Sequence, residues 1–194
     1  MENEKIGIIQ NNKKIKTKQL ILCGLFAALI AVGAFIKIPI PVVPFTLQFL
    51  FTMMAGLLLG GEIGAYSVFM YILLGLIGLP IFTEGGGLGY IFKPTFGYII
   101  GFCIASYVTG KIANKKSNPT YKRILSANFI GLAIVYSLGM IYYYIICNFV
   151  INTPIAVWPL FLYCFILAVP GDILLCILSA VLYKRLIPAI KNIR

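Results

Sequence analysis

WPLFLYCFILAVPGDILLCILSAVLY, residues 158–183, decides the architecture of this chain. A helix of about 20 apolar residues crosses the roughly 30 Å hydrocarbon core of a bilayer, and this run exceeds that length with a single charge in it, Asp172. A carboxylate at membrane depth costs a few kcal/mol even on insertion scales. It persists where it faces a cavity and meets a cation, a hydrogen-bond donor or a proton. The residues before it, Pro170 and Gly171, are the two poorest helix formers. The stretch predicts a spanning segment with a polar site built into its middle.

The rest of the 194-residue chain agrees. It is 61% hydrophobic and 11% charged, with no histidine and five acids: Glu2, Glu4, Glu62, Glu84 and Asp172. A soluble domain of this size could not cover so apolar a surface. Acid–base catalysis, histidine-based metal sites and cofactor chemistry are poorly supplied, so neither an enzyme nor a cofactor is expected. The net charge of +11 does not point to nucleic acid, because 14 of the 16 bases fall in three clusters. Lys5, Lys13, Lys14, Lys16 and Lys18 precede the first apolar run; Lys111, Lys115, Lys116, Lys122 and Arg123 fill one gap; Lys184, Arg185, Lys191 and Arg194 follow the last run. That is the pattern of cytoplasmic loops. The five cysteines all lie within apolar runs without a CxxC pair, and read as free buried thiols.

Working back along the chain, further apolar runs occupy about residues 19–36, 45–59, 63–79, 94–112 and 124–151. The first, behind a basic stretch, has the layout of a signal peptide but is long for one, and reads as a retained helix. The second is short: 15 residues at about 1.5 Å each span only about 22 Å, so it should be tilted or sunk against its neighbours. Pro39, Pro41 and Pro44 preclude a helix between the first two runs. The expectation is an all-α polytopic membrane protein with six transmembrane helices. Residues 1–18 would form a basic cytoplasmic segment, 19–187 the membrane domain and 188–194 a cytoplasmic tail. Six spans put both termini inside, and the three basic clusters then fall inside as well. The connections 37–45, 80–94 and 152–157 fall outside. No internal repeat is evident, which disfavours an inverted-repeat carrier.

The two bases outside the clusters, Lys37 and Lys93, lie on the outer side. Lys37 closes the first span, where a lysine snorkels to the headgroups. Lys93 stands between a glycine-rich loop, residues 85–89, and a proline-started helix whose free N–H groups suit a small carboxylate. An interfacial lysine is the plainer alternative. The glycine loop lacks the GK[ST] ending of a phosphate loop and reads as a lid. Gly24, Ala27, Ala28, Ala31 and Ala34 give the first span a small-residue face. It serves packing within the chain or docking of another membrane subunit.

Taken together, Val43-Pro44-Phe45-Thr46-Leu47-Gln48, the run Met54 to Gly60, Gly75 to Phe82, the glycine loop, Lys93-Pro94-Thr95-Phe96-Gly97-Tyr98 and Pro170-Gly171-Asp172 resemble the BioY family. These are the biotin-binding S components of energy-coupling-factor transporters. The resemblance spans about residues 20–185. It implies a six-helix protein of the prokaryotic plasma membrane that captures biotin from outside. It would deliver biotin inward with a transmembrane coupling subunit and two ATP-binding subunits, docking through Ala27 and Ala31. The substrate-binding set it implies is Asp172, Lys93, Gln48, Glu84 and Tyr98, with the loops 37–45 and 80–92 at the mouth. Asp172 would accept from the ureido N–H groups and Lys93 would pair with the carboxylate tail. This chain departs from the pattern at Leu175, where many relatives carry a lysine, and at Lys93, where many carry glycine. The alternative function is an autonomous or proton-coupled carrier of small carboxylates or vitamins.

Overall fold

The computed structural model describes residues 17–38 and 43–190. What was expected of residues 1–16 and 191–194 lies outside the described residues. Each apolar run forms a helix: α1 (Thr17–Phe35), α2 (Gln48–Leu59), α3 (Gly61–Leu76), α4 (Phe96–Ala113) and α5 (Tyr121–Ile145). A short α6 (Val157–Phe161) and the long α7 (Val169–Ile190) complete the bundle. The all-α expectation holds apart from a two-stranded hairpin, β1 (Lys37–Ile38) and β2 (Phe45–Thr46), paired antiparallel with Lys37 opposite Thr46. The second helix starts at Gln48 rather than at 45. Pro44 lies just before β2 and keeps the helix from starting earlier.

Four helical segments are long and apolar enough to cross a membrane: Thr17–Phe35, Phe96–Ala113, Tyr121–Val150 and Val157–Ala189. The two shorter ones, α2 and α3, are 12 and 16 residues, or about 18 and 24 Å at 1.5 Å per residue. All of α2 except Phe51 is buried, so the short run is sunk among its neighbours as expected. Gly60, at φ +91°, makes the turn into α3, a conformation that costs glycine nothing. The buried core holds Phe49, Met53, Leu57, Leu58 and Val68 together with Phe102, Ile124 and Val135. Outside it, large apolar side chains stand exposed along the helices, among them Leu25, Val32, Phe69, Ile104, Phe129, Ile141, Leu174 and Ile177. So broad an apolar surface suits lipid tails and not water.

The basic loop between α4 and α5 and the end of α7 meet at one end of the bundle. Lys111 pairs with Glu62 at the start of α3 (2.7 Å). Arg123 Nε donates to the Ile112 carbonyl (2.7 Å), satisfying an orphan acceptor at the end of α4. Lys184 Nζ donates to Asn118 Oδ1 (2.9 Å). The hairpin, the glycine-rich loop and the connection from α5 to α6 lie at the opposite end.

Two π-helical turns interrupt the last long segments. Ile146–Val150 ends α5, and Leu162–Ile166 lies between α6 and α7. The second has a cause in the sequence. Pro170 has no N–H, and its ring would collide with the Ile166 carbonyl in a regular helix. The wider turn, closed by Leu167 N–H to the Leu162 carbonyl (3.2 Å), precedes that position.

Candidate functional site

Asp172 lies in the first turn of α7, where the helix dipole favours a negative charge. It is 8% exposed. The Tyr136 hydroxyl of α5 donates to its Oδ2 at 2.5 Å. Tyr136 is clamped in turn between two rings, edge-on to Tyr98 (6.0 Å) and to Phe165 (5.6 Å), which fixes the hydroxyl's position. Gly171 lets Phe45 come close: a Cβ there would sit 2.5 Å from the ring.

Asp172, Tyr136, Tyr98 and Phe45 line one cavity, with about 600 Å³ of atom-free space counting its open mouth. Phe49, Tyr98, Ile99, Phe102 and Val135 give it an apolar and aromatic wall, and Cys164 and Ala168 face it from the π-turn segment. Val43, Pro44, Phe45 and Thr46 of the hairpin region close one side. Thr83, Tyr90 and Thr95 close another, joined in a row of hydroxyls by Thr83–Tyr90 and Tyr90–Thr95 hydrogen bonds of 3.0 and 3.4 Å. Gln48, in the first turn of α2, is in the wall too. Its Nε2 donates to the Tyr71 hydroxyl (2.7 Å), which donates to the Ile81 carbonyl (3.1 Å). The Tyr98 hydroxyl is buried beside the Cys164 thiol and has no partner of good hydrogen-bond geometry. Asp172 is the single charged residue in the lining. A buried carboxylate in an apolar chamber, with one donor already attached, can accept further hydrogen bonds. Leu175, where a lysine would have stood one turn on, is buried and supplies no charge.

Of the five expected binding residues, Asp172, Gln48 and Tyr98 come together here. Lys93 and Glu84 stand outside the wall, about half exposed, joined to each other at 2.9 Å. Hydrogen bonding to Glu84, reinforced by the carboxylate's charge, raises the Lys93 ammonium above its ordinary pKa. Ala27 and Ala31 line a separate apolar groove between α1 and α3, shared with Gly24, Ala28, Met70, Leu74 and Ile81. Tyr136 was not foreseen: a lone tyrosine on a buried helix face has no sequence signal. Thr95, Phe45 and Thr46 were in the quoted motifs without an assigned role.

The sequence matches the BioY family model over residues 10–192. A curated relative from Lysinibacillus sphaericus, a probable biotin transporter BioY, is 45% identical over 182 residues, 94% of this chain and 93% of the relative. The biotin transporter BioY of Thermotoga maritima is 43% identical over 63% of this chain and 72% of its own length. Among solved structures, the S-component for biotin from an ECF-type ABC transporter superposes with a TM-score of 0.74. It is 31% identical, over 92% of this chain and 94% of that one.

Proposed function

The chain belongs to the BioY family, and from that premise we propose that it is the biotin-capturing S component of an energy-coupling-factor transporter. The observation that carries this reading is the enclosed aromatic chamber with one buried carboxylate held by Tyr136. Biotin offers a matching set: ureido N–H donors, an apolar bicycle and an anionic tail. Asp172 accepts from the ureido group, and the bicycle packs against Phe49, Tyr98 and Phe102. Gln48 and the threonine–tyrosine row orient the guest nearer the mouth.

In the membrane, α2, sunk among its neighbours, and α3, which shows an apolar face, complete a six-span bundle with the four longer segments. Both termini and the basic end face the cytoplasm, and the cavity mouth faces outward. The protein sits in the plasma membrane and hands biotin inward with a coupling subunit and two ATPases. The groove that contains Ala27 and Ala31 receives the coupling subunit, because small side chains let a foreign helix approach closely. Titration calorimetry of the purified protein with biotin tests the reading. One saturable site is expected, lost in Asp172→Ala while the variant still inserts. Absence of biotin binding by the intact protein would overturn it.

A further inference from the structure

We infer that Lys37, and not Lys93, is the cation that receives the ligand's carboxylate at the cavity mouth; this rests on the biotin reading above. Lys37 lies in β1 directly opposite Thr46 of β2, and Thr46 is part of the cavity wall. Its ammonium donates to the Thr83 carbonyl (3.2 Å), and Thr83 is part of the wall on the glycine-loop side. Lys37 thus bridges the two segments that frame the opening, with one of its three donors engaged among the described residues.

The acids decide between the two lysines. Each of the three described acids has a partner: Glu62 pairs with Lys111, Glu84 with Lys93, and Asp172 accepts from Tyr136. Glu84 therefore cancels the field of Lys93, and an incoming carboxylate there would meet a pair with no net charge. Lys37 has no ion pair among the described residues. The site then has an acceptor in its depth and an uncompensated cation at its rim. That polarity takes a guest with a donor head and an anionic tail in one orientation only. Lys37 is exposed, so the contact is screened by salt.

The test measures the affinities of biotin and its uncharged methyl ester for the wild-type protein, Lys37→Gln, Lys37→Arg and Lys93→Gln, at low and high salt. Loss of a charge-assisted hydrogen bond of this kind weakens biotin about tenfold in Lys37→Gln. The ester's affinity stays unchanged, which also reports that the variant is folded. Lys37→Arg keeps most of the affinity, and Lys93→Gln changes biotin binding by less than the Lys37 variant does. Biotin binding by the wild type weakens with salt, and that dependence flattens in Lys37→Gln; this arm decides if the ester does not bind. Equal losses for biotin and ester, unaltered biotin affinity and salt slope in Lys37→Gln, or a larger effect at Lys93 would each overturn the assignment. If the wild-type protein binds no biotin at all, the functional reading itself fails, an outcome distinct from these.

Discussion

Asp172 and Tyr136 set the energetics at the scale of single residues. Hydrogen bonds to a charged acceptor contribute about 1.5–3 kcal/mol each. Removing the charge in Asp172→Asn should therefore weaken biotin roughly tenfold to a hundredfold, measured by calorimetry, with little change in thermal stability. Tyr136→Phe removes the one side-chain donor that the carboxylate has among the described residues. An unsatisfied buried group costs about 1–3 kcal/mol. Part of that cost is relieved when the ligand's N–H groups arrive, so this variant should lose more in unfolding temperature than in affinity. A larger loss of affinity than of stability would mean that Tyr136 touches the guest directly. The importance of Asp172 was legible in the sequence because one charge in a long apolar run has few explanations. Tyr136 was not, since it is one of 12 tyrosines and only the packing of α5 on α7 distinguishes it. Lys93 and Glu84 show the converse: their placement near the glycine loop was readable, but their pairing with each other was not.

At the scale of elements, the segment from α6 to α7 and the hairpin act together. Pro170 opens the π-turn Leu162–Ile166, and Gly171 admits the Phe45 ring of β2. In Gly171→Ala the added Cβ meets that ring, and overpacking of this kind costs about 1–3 kcal/mol. Phe45 must shift, taking β2 and its Thr46 wall position with it. The expected result is weaker biotin binding with a modest fall in unfolding temperature, and Phe45→Leu in the same background should restore part of both. No restoration would mean that the glycine serves the helix and not the hairpin. The helices themselves were readable from the lengths of their apolar runs, and the short second run gave its burial away. The strand pairing and the π-turns were not, because two-residue strands have no period and a π-turn depends on how neighbouring helices take up a proline.

For the whole molecule, the cavity and the α1–α3 groove are separate surfaces with no lining residue in common, and the proposed function gives them separate duties. Ala27→Leu or Ala31→Leu fills the groove without touching the cavity wall. Each should leave biotin binding by the isolated protein within about twofold, since sites without shared partners act independently, while reducing ATP-dependent uptake by the assembled transporter severely. Proteoliposomes with this chain alone should show no concentrative uptake; accumulation driven by a proton gradient would favour the autonomous carrier instead. The central claim is that the buried carboxylate grips a guest through N–H donors inside an aromatic chamber. Its most direct test is calorimetry with biotin and with a biotin whose two ureido nitrogens are methylated. The account predicts a strong exothermic titration for the first and at least a hundredfold weaker binding for the second, by the loss of charge-assisted hydrogen bonds. Matching heats and affinities for the two compounds would contradict it.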